Sequence, residues 1–63
     1  MKVDEFQDNV TEGDEWICTG ASGQEITVKV EEKHDDWAKC TILSEPNKGN
    51  EHNFPATQFE KPA

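Results

Sequence analysis

At 63 residues the chain has room for one domain, and a domain of that size buries only about 60% of the surface its unfolded form exposes, which leaves little material for a catalytic cleft with a supporting shell. Its 14 acids face 6 lysines and no arginine, and a net charge of −8 excludes a phosphate backbone as a direct partner, because neutralising phosphates requires a positive field. With 32% hydrophobic and 8% aromatic residues, the core must come from a short list: Trp16, Ile17, Ile26, Val28, Val30, Trp37, Ile42, Leu43, Phe54 and Phe59, with Phe6 and Val10 available to join.

Residues 1–9 read as an acidic N-terminal arm, since Asp4, Glu5 and Asp8 are offset only by Lys2. Phe6 and Val10 stand four apart, as on one helical face, so a short helix is the alternative where Phe6 docks on the domain that follows over residues 10–62. A first strand is expected over residues 15–19, and Gly20, Ala21, Ser22 and Gly23 supply the turn after it. Residues 25–32 form the clearest element. Ile26, Val28 and Val30 point one way while Glu25, Thr27, Lys29 and Glu31 point the other, as a half-buried strand requires.

Lys33, His34, Asp35 and Asp36 then make a polar hairpin tip, and residues 37–43 return as a third strand. Of its two faces, Ala38, Cys40 and Ile42 are expected inside, because the face with Trp37, Lys39, Thr41 and Leu43 carries a lysine. Residues 44–53 form a turn-rich loop. Asn53, Phe54 and Pro55 follow as a short edge strand, because proline has no N–H for a central ladder. Ala56 to Phe59 fits a single 3-10 turn before a last strand over residues 59–62. The expected class is all-β, with five short strands.

The opening Gly13, Asp14 and Trp16, the long hairpin over residues 25–43 and the closing Phe54, Pro55, Phe59, Glu60, Lys61 and Pro62 together resemble small bacterial and phage domains with an SH3-like barrel. The resemblance covers residues 10–62 and implies a five-stranded barrel closed after the 3-10 turn. It implies no particular activity, since such barrels host unrelated functions. The chain has no tyrosine, so the aromatic groove that reads proline-rich peptides is missing.

No motif carries catalysis. His34, Asp35, Asp36, His52, Cys18 and Cys40 are metal-ligand types, but their spacing matches no zinc pattern, and neither metal nor cofactor is expected. Cys18 and Cys40 sit in alternating strands and read as buried, reduced thiols. The carboxylates are scattered, Ser22, Ser44, His34 and His52 fall in loops without triad spacing, and the Gly20–Gly23 turn precedes no helix that could cradle phosphate. A non-enzyme is therefore expected. No run of apolar residues is long enough to span a membrane, and the first residues lack a basic start followed by an apolar block, so a soluble cytoplasmic protein is expected.

Trp37 is the candidate anchor for a partner. It either faces solvent beside Asp35, Asp36 and Lys39, with Leu43 on the same strand face, or wraps the rim of the core. The acidity points to a protein partner with a basic surface and to a monomer or weak dimer, with no direct nucleic-acid or membrane contact. The alternative is an acidic nucleic-acid mimic that inhibits a DNA- or RNA-binding protein. That role needs Asp4, Asp8, Glu12, Glu31, Asp35, Asp36, Glu45 and Glu51 to line one face at phosphate-like spacing.

Overall fold

The computed structural model describes residues 1–63. In chain order it contains helix α1 (Val3–Asn9), strands β1 (Glu15–Thr19), β2 (Glu25–Lys33), β3 (Trp37–Ile42) and β4 (Glu51–Pro55), a 3-10 turn (Ala56–Gln58) and β5 (Phe59–Pro62). The five strands form one antiparallel sheet in the order β4-β3-β2-β1-β5. The all-β class is as expected. Closure is not: β4 and β5 end the sheet with no ladder between them, where a closed barrel was expected. Pro55 and Pro62, near the ends of these two strands, lack the N–H that a closing ladder needs there.

Alternation in β2 buries Val28 and Val30 and leaves Lys29 and Glu31 in solvent. β3 follows the parity that excludes lysine, with Ala38, Cys40 and Ile42 buried. These meet Trp16 and Cys18 of β1, and Phe54, Ala56 and Phe59 from the closing segment, in one cluster. Ile17, Trp37 and Leu43, expected to help fill the core, are only half-buried, because strand alternation turns them away from it. The small side chains of Cys18, Ala38, Cys40 and Ala56 pack there instead. β4 also begins two residues earlier than expected, at Glu51, since Thr41 and Cys40 pair with Glu51 and His52.

Two irregularities shape the sheet. The pairing steps from Val30↔Cys40 to Glu32↔Lys39, which leaves Glu31 as a bulge, and from Ile17↔Lys61 to Cys18↔Phe59, which leaves Glu60 as another. Bulges of this kind increase local twist and bend the bulged strand. The first also resets alternation in β2, so that Lys33 lies opposite buried Ala38 and is itself half-buried.

The first nine residues are tied to this sheet. At seven residues α1 is too short to hold itself together in water, and its stability comes from docking. Phe6 is fully buried, its ring edge-on to Phe59 at 5.1 Å, and Phe59 in turn meets Trp16 at 6.1 Å. Burying such a side chain is worth about 2–3 kcal/mol. The last turn of α1 has no basic residue of its own, so its carbonyls are satisfied from elsewhere: Lys33 Nζ donates to the carbonyls of Gln7 and Val10, each at 2.7 Å. The Met1 ammonium donates to the carbonyls of Phe59 at 2.8 Å and Ala56 at 3.2 Å.

Gly13 adopts a φ of 93°, a left-handed conformation that favours glycine, where the chain turns from α1 into β1. Its N–H donates to the Val30 carbonyl at 2.8 Å, and the Asp14 carboxylate accepts from the Thr11 N–H at 3.0 Å. Gly13 and Asp14 thus serve the turn that delivers Trp16 to the core.

Candidate interaction surface

The tip of the β2–β3 hairpin is held from both sides. Gln7 of α1 donates through Nε2 to the Asp35 carbonyl at 2.9 Å, and the Ala56 N–H, opening the 3-10 turn, donates to the Asp36 carbonyl at 2.8 Å. The His34 N–H closes the tip on the Trp37 carbonyl at 2.8 Å. These backbone anchors leave the Asp35 and Asp36 side chains exposed and without an ion-pair partner in the structure.

Trp37 falls between the two expected placements. It is half-buried, lies opposite Pro55 across the β3–β4 pair, and has the His34 ring stacked on it at 4.0 Å with the planes 14° apart. Between α1 and the tip runs an open groove of about 610 Å³ lined by Gln7, Lys33, His34, Asp35, Asp36 and Trp37. The sequence-derived candidates Trp37, Asp35 and Asp36 therefore share one concave site. Gln7, Lys33 and His34 belong to it as well; Lys33 and His34 fall in the tip read from the sequence, and Gln7 had no local signal.

Lys39 lies on the outer sheet face between Glu32 at 3.8 Å and Glu51 at 3.7 Å, while His34 Nε2 stands 3.7 Å from Glu32. Exposed pairs of this kind contribute about 0–1 kcal/mol, so they hold Lys39 locally and do little for stability. Leu43 does not join the group. It follows the far end of β3, six residues from Trp37 and roughly 20 Å away at strand rise, and its N–H donates to the Thr27 carbonyl.

A second concavity opens at the opposite end of the sheet. It measures about 240 Å³ and has an apolar floor of Ile26, Ile42, Phe54 and Ala21 beside His52 and Gln58. The His52 ring packs against Phe54 at 4.7 Å.

The two thiols are chemically quiet. Burial pushes both Cys18 and Cys40 up to about 12, helped at Cys18 by the nearby Cys40 and at Cys40 by the Glu31 carboxylate. A thiol that stays protonated at neutral pH is a poor nucleophile and a poor metal ligand. No three His, Cys, Asp or Glu side chains converge as a metal site, and no helix is long and apolar enough to cross a membrane. Comparison with protein-family models, with curated proteins and with solved structures returns no match.

Proposed function

We propose that the chain is a non-catalytic, cytoplasmic protein-interaction module of the SH3-like barrel type, and that its partner presents a basic surface. The barrel reading is supported by the strand order, with the last strand returning beside the first after a 3-10 turn. The observation that carries the functional reading is the His34–Trp37 stack at the wall of the groove beside the unpaired carboxylates of Asp35 and Asp36. A lysine or arginine entering there meets an indole, which attracts cations through its ring quadrupole, and carboxylates, which accept charge-assisted hydrogen bonds. A net charge of −8 steers such a partner in from a distance.

The nucleic-acid-mimic reading has less support. Of the acids it requires, Glu12 accepts from the Lys33 N–H at 3.0 Å, Glu31 accepts from the Thr41 hydroxyl at 2.8 Å, and Glu51 pairs with Lys39. These carboxylates are partly occupied with internal contacts.

The test is a titration with lysine- and arginine-rich peptides, with an acidic peptide of equal length as control, read from the indole N–H resonance of Trp37 and, in the wild type and Trp37→Ala alike, from the backbone amides of His34, Asp35 and Asp36. A saturable shift with the basic peptides, weakened about tenfold or more by Trp37→Ala, is expected for an aromatic anchor. No shift, or equal binding by Trp37→Ala, would contradict the proposal. Competition by the chain against DNA for a nucleic-acid-binding protein, lost steeply with added salt, would favour the mimic instead.

A further inference from the structure

The register of β4 shows which backbone groups it leaves free. The Ile42 N–H donates to the Asn50 carbonyl at one end of the β3–β4 pair, and the Ala56 N–H donates to the Asp36 carbonyl at the other, both at 2.8 Å. Between them the Cα partners are Thr41↔Glu51, Cys40↔His52, Lys39↔Asn53, Ala38↔Phe54 and Trp37↔Pro55. Antiparallel pairs alternate between those that exchange backbone bonds and those that do not, and both ends set the same parity. His52 and Phe54 bond to β3. Glu51, Asn53 and Pro55 direct their backbone groups away from it, and Pro55 is tolerated because its missing N–H falls on that outward set. All three are exposed, so the edge presents the N–H and C=O of Glu51 and Asn53 and the C=O of Pro55.

The geometry points to β-strand addition: β4 receives an extended segment of the basic partner as a sixth strand of the sheet. Side chains of the added strand alternate between faces as its neighbour's do. On the outer face they lie beside Glu51 and Asn53, next to the row that carries Trp37 and Lys39, and a lysine or arginine there shares the exposed Glu51 carboxylate with Lys39. On the inner face they lie beside His52 and Phe54, at the concavity floored by Ile26, Ile42 and Phe54, and an apolar residue suits that floor. The recognised segment therefore alternates basic and apolar residues. Charge selects this occupant over a second copy of the chain, which brings another −8 to the same edge. This inference rests on the basic-partner reading above and adds the mode of engagement.

The probes are short peptides that alternate lysine with valine, leucine or phenylalanine. Their controls are the same peptides N-methylated at every backbone nitrogen, which keeps the charge and the side chains and abolishes strand pairing in either direction. Amide hydrogen exchange is read at Glu51 and Asn53, and the Trp37 indole is followed in the same samples. The unmodified peptides are expected to slow exchange at Glu51 and Asn53 by about tenfold or more, and the N-methylated peptides to leave it unchanged. A chemically synthesised chain N-methylated at Asn53 loses no internal hydrogen bond and should bind these peptides about tenfold more weakly. Asn53→Pro is the recombinant counterpart.

If both peptide classes shift Trp37 equally and leave the β4 amides unprotected, strand addition is wrong and the basic-partner reading stands. If neither class perturbs either probe, both fail. Protection of Glu51 and Asn53 that rises with protein concentration in the absence of peptide would identify a second copy as the occupant and overturn the assignment.

Discussion

The two edges of the sheet are treated differently. β5 is short, carries a bulge at Glu60 and has Pro62 near its end. The Phe59 carbonyl is taken by the Met1 ammonium, and Phe6 of α1 packs on the Phe59 ring. These are the devices by which edge strands are kept from pairing with other chains. β4 has a regular register, no hydrogen bond to its outward backbone groups, and a single proline at one end. One edge is guarded and the other bare, and this contrast is why the proposed strand addition falls on β4.

The contrast can be broken most forcefully at Phe6. Phe6→Ala removes the side chain that docks α1, and the loss of a buried phenylalanine should cost about 3–5 kcal/mol, a large part of what a domain this small possesses. Urea denaturation should show a sharply lower midpoint, with α1 amides exchanging freely and β5 uncovered.

Paired proline substitutions on β4 sharpen the contrast. His52→Pro removes an N–H that bonds to β3 and should cost about 3 kcal/mol, whereas Asn53→Pro, on the outward parity, should cost less than about 1 kcal/mol. Thermal melts of the two variants measure the difference. Equal losses would mean that the parity assigned to β4 is wrong.

Alkali acts between the edges, on the thiols beneath β1 and β3. Both have a folded pKa raised from 9.0 to about 12, so the folded state retains protons that the unfolded state has released. Their contribution is fully present below pH 9 and is lost as the pH rises from there toward 12. Urea midpoints should be flat through neutrality and fall above pH 9, and Cys18→Ala with Cys40→Ala should flatten that fall. Thiol reagents at neutral pH should label the cysteines only on unfolding.

The smallest expected effect is at Lys33. Lys33→Met keeps the aliphatic stem and removes the ammonium that satisfies the Gln7 and Val10 carbonyls, at a cost of about 1 kcal/mol. The loss should appear as faster exchange in α1, with the β4 amides unchanged.

Much of the sheet is legible along the chain. Ile26, Val28 and Val30 mark β2 by alternation, Lys39 chooses the inner face of β3, and Pro55 marks an edge. The candidate surface is less legible, because it depends on features that no local pattern records. The bulge at Glu31 changes the parity of β2 and turns Lys33 toward α1. The burial of Phe6 depends on Phe59, more than fifty residues away in the chain. Trp37 and Leu43 share a parity and suggested one patch, yet they stand at opposite ends of β3. The His34–Trp37 stack follows from the turn geometry of the tip, which composition alone does not specify.

The central claim is that β4 is an unoccupied edge, and amide hydrogen exchange of the free chain tests it most directly. The backbone parity predicts that Glu51 and Asn53 exchange at nearly unprotected rates while His52 and Phe54 are slower by about a hundredfold or more. Equal protection at all four amides, in dilute protein without a partner, would show that the edge is already paired and would contradict the account.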